Sequence, residues 1–152
     1  MGCDIHVYLE GQTSIDNKLK WVSLDYYWIN RLGDFERIEI YDGRHYDLFG
    51  VLAGVRSDRY EPISLPKGIP YDTCEFIKKA FGEDKDWCHS FSYLTLKELM
   101  EHPTYEFDEE DKNMLKPFIN KIVERAEETL SWYGDKPYKQ AEDLRMVFWF
   151  DN

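Results

Sequence analysis

The stretch CDIHVYLE, residues 3–10, decides the architecture of this chain. Its apolar side chains occupy every second position: Cys3, Ile5, Val7 and Leu9. Because successive side chains of a β-strand point to opposite faces of a sheet, this alternation predicts a strand with one buried face. The remaining strands of that sheet must come from further along the chain.

The second strong strand signal is LRMVFWF, residues 144–150, which is apolar and aromatic enough to be a buried central strand. Two further strand candidates, at about 20–28 and 35–41, are rich in aromatic and β-branched residues. The mostly polar residues 11–19 are expected to form a connection. We expect an antiparallel sheet in which the first and last strands are neighbours or nearly so.

Helix signals replace the strand pattern in four places. Residues 46–55 and 115–130 each carry apolar side chains at three- and four-residue intervals. A further helix is expected over 72–82, and Thr95 with Glu98 forms a capping box that opens another. The predicted class is therefore α+β, a mainly antiparallel sheet that includes the N- and C-terminal strands, with helices packed on one face.

Composition indicates one folded domain over residues 1–152. Aromatic residues make up 16% of the chain, and their large burial energies argue against disorder. No apolar stretch approaches the ~20 residues that cross a membrane, so no membrane association is expected. Three cysteines without a CxxC spacing favour reduced thiols in a cytoplasmic protein: Cys3, Cys74 and Cys88.

The net charge of −11, from 30 acidic and 19 basic residues, disfavours a binder of duplex nucleic acid. A local basic pocket for a small anion stays compatible with it, because neighbouring groups decide the charge of a pocket. Part of the acidity lies in one run at 106–111, which is typical of a solvated helix entrance.

Asp4 and His6 are the first candidates for chemistry. They lie on the same side of the first predicted strand, about 6.5–7 Å apart along the chain. Such a pair suits acid–base catalysis or the binding of a divalent cation, and it equally suits the polar outer face of an edge strand. With His89 and Asp151, these two residues form the candidate metal set.

His89, Ser90 and Ser92 precede the Thr95 cap and are candidate ligand-binding residues. Hydroxyls and an imidazole that lead into a helix N-terminus suit an anion, because free backbone N–H groups point there. The alternative is that the serines bond local backbone and that His89 packs on Trp87.

Arg44 and Arg56 flank the helix expected over 46–55 and complete the candidate ligand-binding set. Guanidinium groups bind carboxylate and phosphate through paired hydrogen bonds. In so acidic a chain, structural ion pairs are the alternative role for both arginines.

Five motifs occur in order along most of the chain: GCDIH at 2–6, RHYDLF at 44–49, PKGIP at 66–70, HSFSYLTL at 89–96 and VFWFDN at 147–152. In this ordered set the chain resembles an uncharacterised family of small bacteriophage and prophage proteins. The resemblance implies a viral accessory protein that works in the cytoplasm of a host bacterium. Relatives often carry a second histidine where this chain has Phe91, which argues against a mechanism that needs two histidines in that segment.

Three functions follow as hypotheses. The first is a module that binds, and could sequester, a small anionic nucleotide-like ligand such as a signal of host defence. The second is a metal-dependent hydrolase or phosphodiesterase that uses the metal set, so enzymatic activity is left open. The third is an acidic inhibitor of a host protein that presents residues 106–111. The aromatic content also leaves room for the interface of a homo-oligomer.

Overall fold

The computed structural model describes residues 2–106, 114–133 and 141–152. Its strands are β1 Ile5–Ile15, β2 Lys18–Ser23, β3 Tyr27–Ile29, β4 Phe35–Arg37, β5 His89–Thr95 and β6 Leu144–Phe150. Its α-helices are α1 Tyr46–Ala53, α2 Glu75–Asp84, α3 Leu96–Glu101 and α4 Leu115–Tyr133. Within those residues, every helix is too short or too polar to cross a bilayer.

Four strands form the main sheet in the order β2-β1-β6-β5, and every neighbouring pair is antiparallel. The first and last strands are therefore direct neighbours at the centre. Their register places Ile5 opposite Phe150 and Gly11 opposite Leu144. The predicted α+β class, with an antiparallel sheet that contains both terminal strands, is confirmed.

The expectation of a polar connection over 11–19 is wrong. β1 continues to Ile15 and pairs with β2 through a two-residue turn at Asp16 and Asn17, whose φ angles are 52° and 61°. Left-handed backbone at both positions is what tight β-hairpins require. Residues 14–20 of this hairpin are exposed to solvent, which accounts for their mostly polar character.

The next two predicted strands are shorter than expected. The strand predicted at about 20–28 divides into β2 and β3, and the one at 35–41 shortens to β4. β3 and β4 pair only with each other and form a separate two-stranded sheet. The fourth strand of the main sheet, β5, was not predicted, because its serines and histidine were interpreted as a helix entrance.

Both faces of the main sheet are buried. The face that carries Ile5, Val7 and Leu9 packs with side chains of α1, α3 and α4 in the larger core. The prediction of helices on one face holds for these three helices. α2 lies on the opposite face, where Tyr8, Trp149 and Val147 are apolar and need a cover.

Two local signals had different outcomes. Thr95 and Glu98 form the predicted capping box at the start of α3, with both reciprocal hydrogen bonds present. α2 begins later than predicted, with Cys74 rather than Asp72 as its N-cap residue. The Cys74 N–H donates to the buried carboxylate of Glu10 at 2.7 Å, so a group from β1 takes the place of a local cap.

Candidate functional site

The candidate site lies where β1 begins, β6 ends and β5 begins, at one end of the main sheet. Seven side chains form what we call the strand-end corner, five from these strand ends and two from the segments that flank α1: Asp4, His6, Arg44, Arg56, Trp87, Asp151 and Asn152. Five of them were candidate metal-binding or ligand-binding residues in the sequence: Asp4, His6, Arg44, Arg56 and Asp151. Their contacts define what the corner can bind.

Asp151 joins the ends of the two central strands. Its backbone N–H donates to the carbonyl of Asp4 at 3.1 Å, and its Oδ1 accepts from the Asp4 N–H at 3.1 Å. The other oxygen, Oδ2, lies 2.9 Å from Nε2 of His6. Both side chains of this His–Asp pair are about one-fifth exposed, at 22% for His6 and 21% for Asp151.

Arg44 reaches back from the start of α1 to the carboxylate of Asp4. Its Nε and Nη2 donate to the two oxygens of Asp4, which makes a fork-to-fork ion pair. The hydrogen bond with Arg44 holds the pKa of Asp4 below its ordinary value. Gly2 makes this approach possible, because a Cβ at that position would lie 2.5 Å from Nη1 of Arg44.

Arg56 binds the neighbouring residue on the same strand end. Its Nη2 donates to the amide oxygen of Asn152 at 2.9 Å, and its backbone is left-handed at φ 65°. Within the described parts of the chain, no carboxylate forms an ion pair with this guanidinium. Asn152 therefore holds the guanidinium of Arg56 in place without neutralising its charge.

His89 lies on the other face of the sheet from His6. β5 pairs it with Phe150, whose ring it stacks on at 6.2 Å, whereas His6 pairs with Trp149. Its Nδ1 is 2.9 Å from the Ser90 hydroxyl, and its buried Nε2 has no hydrogen-bond partner within the described chain. A β-bulge with Ser90 at φ 54° produces this arrangement.

Ser92 and the α3 N-terminus do not form the expected anion site. Ser92 is completely buried, and its hydroxyl oxygen accepts the backbone N–H of Lys67 at 3.2 Å. The N–H groups of Thr95 and Glu98 are bonded within the capping box. The interpretation of residues 89–95 as a helix entrance is therefore corrected: they form a strand.

The four residues of the predicted metal set are divided by the sheet. Asp4, His6 and Asp151 meet at the corner, and His89 lies on the opposite face. Asp4 is held by Arg44, and both oxygens of Asp151 are bonded within the protein. Across the described residues, no three His, Cys, Asp or Glu side chains are placed to hold a metal ion together.

Sequence reasoning missed three contributors to the corner: Gly2, Trp87 and Asn152. Trp87 contacts His6 edge-on at 6.4 Å, rather than packing on His89, and its indole is 60% exposed. The Trp87 Nε1 donates to the carbonyl of Glu83 at 3.1 Å, which fixes the ring at the end of α2. Gly2 and Asn152 lie within two of the quoted motifs, GCDIH and VFWFDN, and Trp87 lies two residues before a third.

Two other sequence-based expectations concern residues away from the corner. Of the acidic run at 106–111, only Glu106 lies within the described residues. The three cysteines are free thiols. Burial raises the pKa of Cys74 to about 12 and that of Cys88 to about 11, which makes both poor nucleophiles at neutral pH.

Comparisons with known proteins do not assign a function to this site. No protein-family model, no curated protein and no solved structure matches the chain.

Proposed function

We propose that the protein binds a small anionic, nucleotide-like ligand at the strand-end corner. The observation that carries the proposal is that two exposed guanidinium groups are anchored one residue apart on paired strand ends. Arg44 is held by Asp4, which pairs with Asp151, and Arg56 is held by the next residue, Asn152. Two anchored guanidinium groups suit a phosphate better than a mobile lysine pair does.

The two arginines would contribute differently. Arg44 is already neutralised by Asp4, so it serves mainly to present its remaining Nη1 donor in a fixed orientation. Arg56 has a neutral amide as its partner, so its charge is not committed to an ion pair among the described residues. The corner can attract a small anion although the whole chain carries −11, because a group in direct contact dominates at short range.

Trp87 supports the nucleotide-like part of the proposal. Its ring is fixed by the Glu83 carbonyl, mostly exposed, and connected through His6 and Asp151 to the anchor of Arg44. A fixed aromatic surface at the same end of the sheet as the two guanidinium groups suits a base that stacks while its phosphate is bound. The resemblance to phage proteins supports the setting, an accessory protein that captures a nucleotide signal in the host cytoplasm.

A panel of cyclic and linear nucleotides, studied by equilibrium dialysis, tests the proposal. We expect one nucleotide to be retained and to be recovered intact when the protein is heat-denatured. Replacing Arg44 or Arg56 with Ala should raise its Kd about tenfold or more, since hydrogen bonds to charged groups contribute about 1.5–3 kcal/mol. Arg31→Ala, an exposed arginine of the β3–β4 hairpin, is the matched control. If no nucleotide is retained, or if all three variants bind equally, the proposal fails.

A second function, hydrolysis of the bound ligand, is favoured by the His6–Asp151 pair. A partly exposed imidazole oriented by a carboxylate at 2.9 Å is an arrangement used in general acid–base catalysis. New products in the dialysis assay, with or without Mg²⁺ or Mn²⁺, would identify an enzyme. His6→Gln should then abolish product formation while the nucleotide is still retained.

A further inference from the structure

The β3–β4 hairpin, residues 27–37, exposes an unusual amount of apolar surface. Its most exposed side chains are Leu32 at 87%, Phe35 at 74%, Ile29 at 59% and Trp28 at 51%. Among the described residues the two strands pair with each other alone, so each also has an unpaired edge there. Exposed apolar surface of this kind, on a strand pair with free edges, marks an interaction site.

A groove lies between the base of this hairpin and α2. Tyr27 and Phe76 are in edge-to-face contact at 5.3 Å on its floor, and Phe35 lines the hairpin side. Lys79 and Glu83 of α2 line the other side. Arg37 of β4 also lines the groove, where it is paired with Asp25 and Glu39. The groove therefore has aromatic side chains on its floor, with Lys79 and Glu83 as further charged groups beside them.

The hairpin tip carries the complementary pair of charges. Arg31 and Asp34 flank Leu32 and Gly33, and no described residue forms an ion pair with either side chain. Lys79 and Glu83 likewise lack ion-pair partners among the described residues. A tip with both signs of charge around an apolar side chain matches a groove with both signs around an apolar floor.

We infer that the hairpin joins two copies of this chain into a symmetric dimer. The two hairpins lie antiparallel about a two-fold axis, with Leu32 and Phe35 of each copy covering the groove of the other. Arg31 then faces Glu83 of the second copy, and Asp34 faces Lys79 of the second copy. A single isologous contact supplies every pairing twice.

The charge distribution favours a second copy as the occupant. The protein carries −11 overall, which makes most faces of two copies repel each other. The hairpin is an exception, because two arginines and two carboxylates balance over residues 27–37. Contact through this neutral surface brings two acidic molecules together without adding like charges at the interface.

Sedimentation velocity of the full chain, from about 1 μM to about 1 mM, tests the inference across the affinities expected of a modest interface. We expect a concentration-dependent dimer. Leu32→Glu and Phe35→Glu should each raise the dissociation constant about tenfold or more. Leu65→Glu, at a side chain that is 73% exposed elsewhere, is the matched control and should leave the dimer intact.

Charge exchange tests the orientation. Asp34→Lys and Lys79→Glu should each weaken the dimer, and the double variant should restore it, because both interfaces of the symmetric pair are then complementary again. A wild type that stays monomeric over the whole concentration range overturns the inference. This holds even if the hairpin is found to bind a lipid vesicle or another protein. A dimer that is insensitive to Leu32→Glu and Phe35→Glu overturns it equally.

Discussion

Nε2 of His6 and Oδ2 of Asp151 lie 2.9 Å apart, although 145 positions separate them in the sequence. The contact depends on the pairing of β1 with β6, which places His6 beside Trp149 and leaves Asp151 at the end of the sheet. Asp151 thereby holds an imidazole with one oxygen and the Asp4 backbone with the other. The corner is thus one hydrogen-bonded unit.

The first prediction concerns the stability of that unit. Asp151→Ala removes both acceptors and should lower the free energy of unfolding by about 1–2 kcal/mol, within the usual range for partly exposed hydrogen bonds. Asp151→Asn keeps one carbonyl oxygen and should have a smaller effect. Urea denaturation monitored by tryptophan fluorescence measures both. Equal losses for the two variants would contradict the assignment of two separate acceptor roles.

The second prediction concerns Gly2. Gly2→Ala places a methyl group 2.5 Å from Nη1 of Arg44 and should displace the guanidinium from Asp4. If the proposed ligand binds there, its Kd should rise about tenfold while the far-ultraviolet circular dichroism stays unchanged.

Gly82→Ala is the matched control for this change. Gly82 lies inside α2, and a Cβ there meets no atom within 4 Å. That substitution should leave ligand binding intact and stabilise the fold by about 0.5–1 kcal/mol, because alanine is the better helix former. A Gly2→Ala variant that binds like Gly82→Ala would show that the Arg44 orientation is unimportant.

The third prediction concerns Glu10, a fully buried carboxylate on β1. It accepts from Thr73 Oγ1 at 2.6 Å, from the Cys74 N–H at 2.7 Å and from Arg145 Nε at 2.7 Å. Glu10→Gln should destabilise the protein by about 3–5 kcal/mol, since it leaves Arg145 as a buried charge without its main partner. Thermal or urea unfolding measures the effect.

Two controls separate the buried charge from simple loss of a side chain. Glu75→Gln breaks the exposed ion pair with Lys78 and should change stability by no more than about 0.5 kcal/mol. Arg145→Met in the Glu10→Gln background should recover part of the loss, because it removes a buried guanidinium whose remaining ion pair is with the half-exposed Asp72 at 3.0 Å. A double variant that is less stable than Glu10→Gln alone would contradict this. It would show that Arg145 stabilises the fold mainly by stacking on Trp21, whose ring centroid is 3.9 Å away.

The fourth prediction concerns the pH dependence of stability. Burial raises the pKa of Asp25 to about 6, against the nearby charges of Arg37 and Arg125. Between the unfolded value of 3.8 and about 6, the native state holds more protons than the unfolded state. The contribution of Asp25 to the free energy of unfolding should therefore fall by about 3 kcal/mol as pH rises through this window.

The comparison of the wild type with Asp25→Asn isolates this effect. The difference in unfolding free energy, wild type minus variant, should decrease from pH 4 to pH 6 and stay constant above it. A difference that instead increases with pH would mean that the two arginines outweigh burial and lower the pKa of Asp25.

The secondary-structure elements that were predicted correctly are those with a clear local sequence pattern. The alternation in residues 3–10, the apolar run at 144–150 and the Thr95 capping box each act through neighbours in sequence, so each was visible without tertiary information. β5 was missed because its polar residues are buried or bonded by distant groups. Ser92, for example, is buried against the backbone of Lys67.

The candidate site was predictable only in part, for the same physical reason. Asp4, His6, Arg44 and Asp151 do come together, because the first and last strands pair as expected. His89 does not join them, because its pairing register places its side chain on the other face of the sheet. A one-residue difference in strand pairing reverses the face of every side chain, and sequence alone did not fix that register.

The pairing of the first strand with the last also sets an order of events during folding. Loops of more than a hundred residues must close before Asp4 meets Asp151, and such distant contacts form slowly. On the ribosome, β1 emerges early and waits for β6, with its apolar positions exposed meanwhile. The corner can therefore form only after β6 has been made, because Asp151 and Asn152 directly follow that strand.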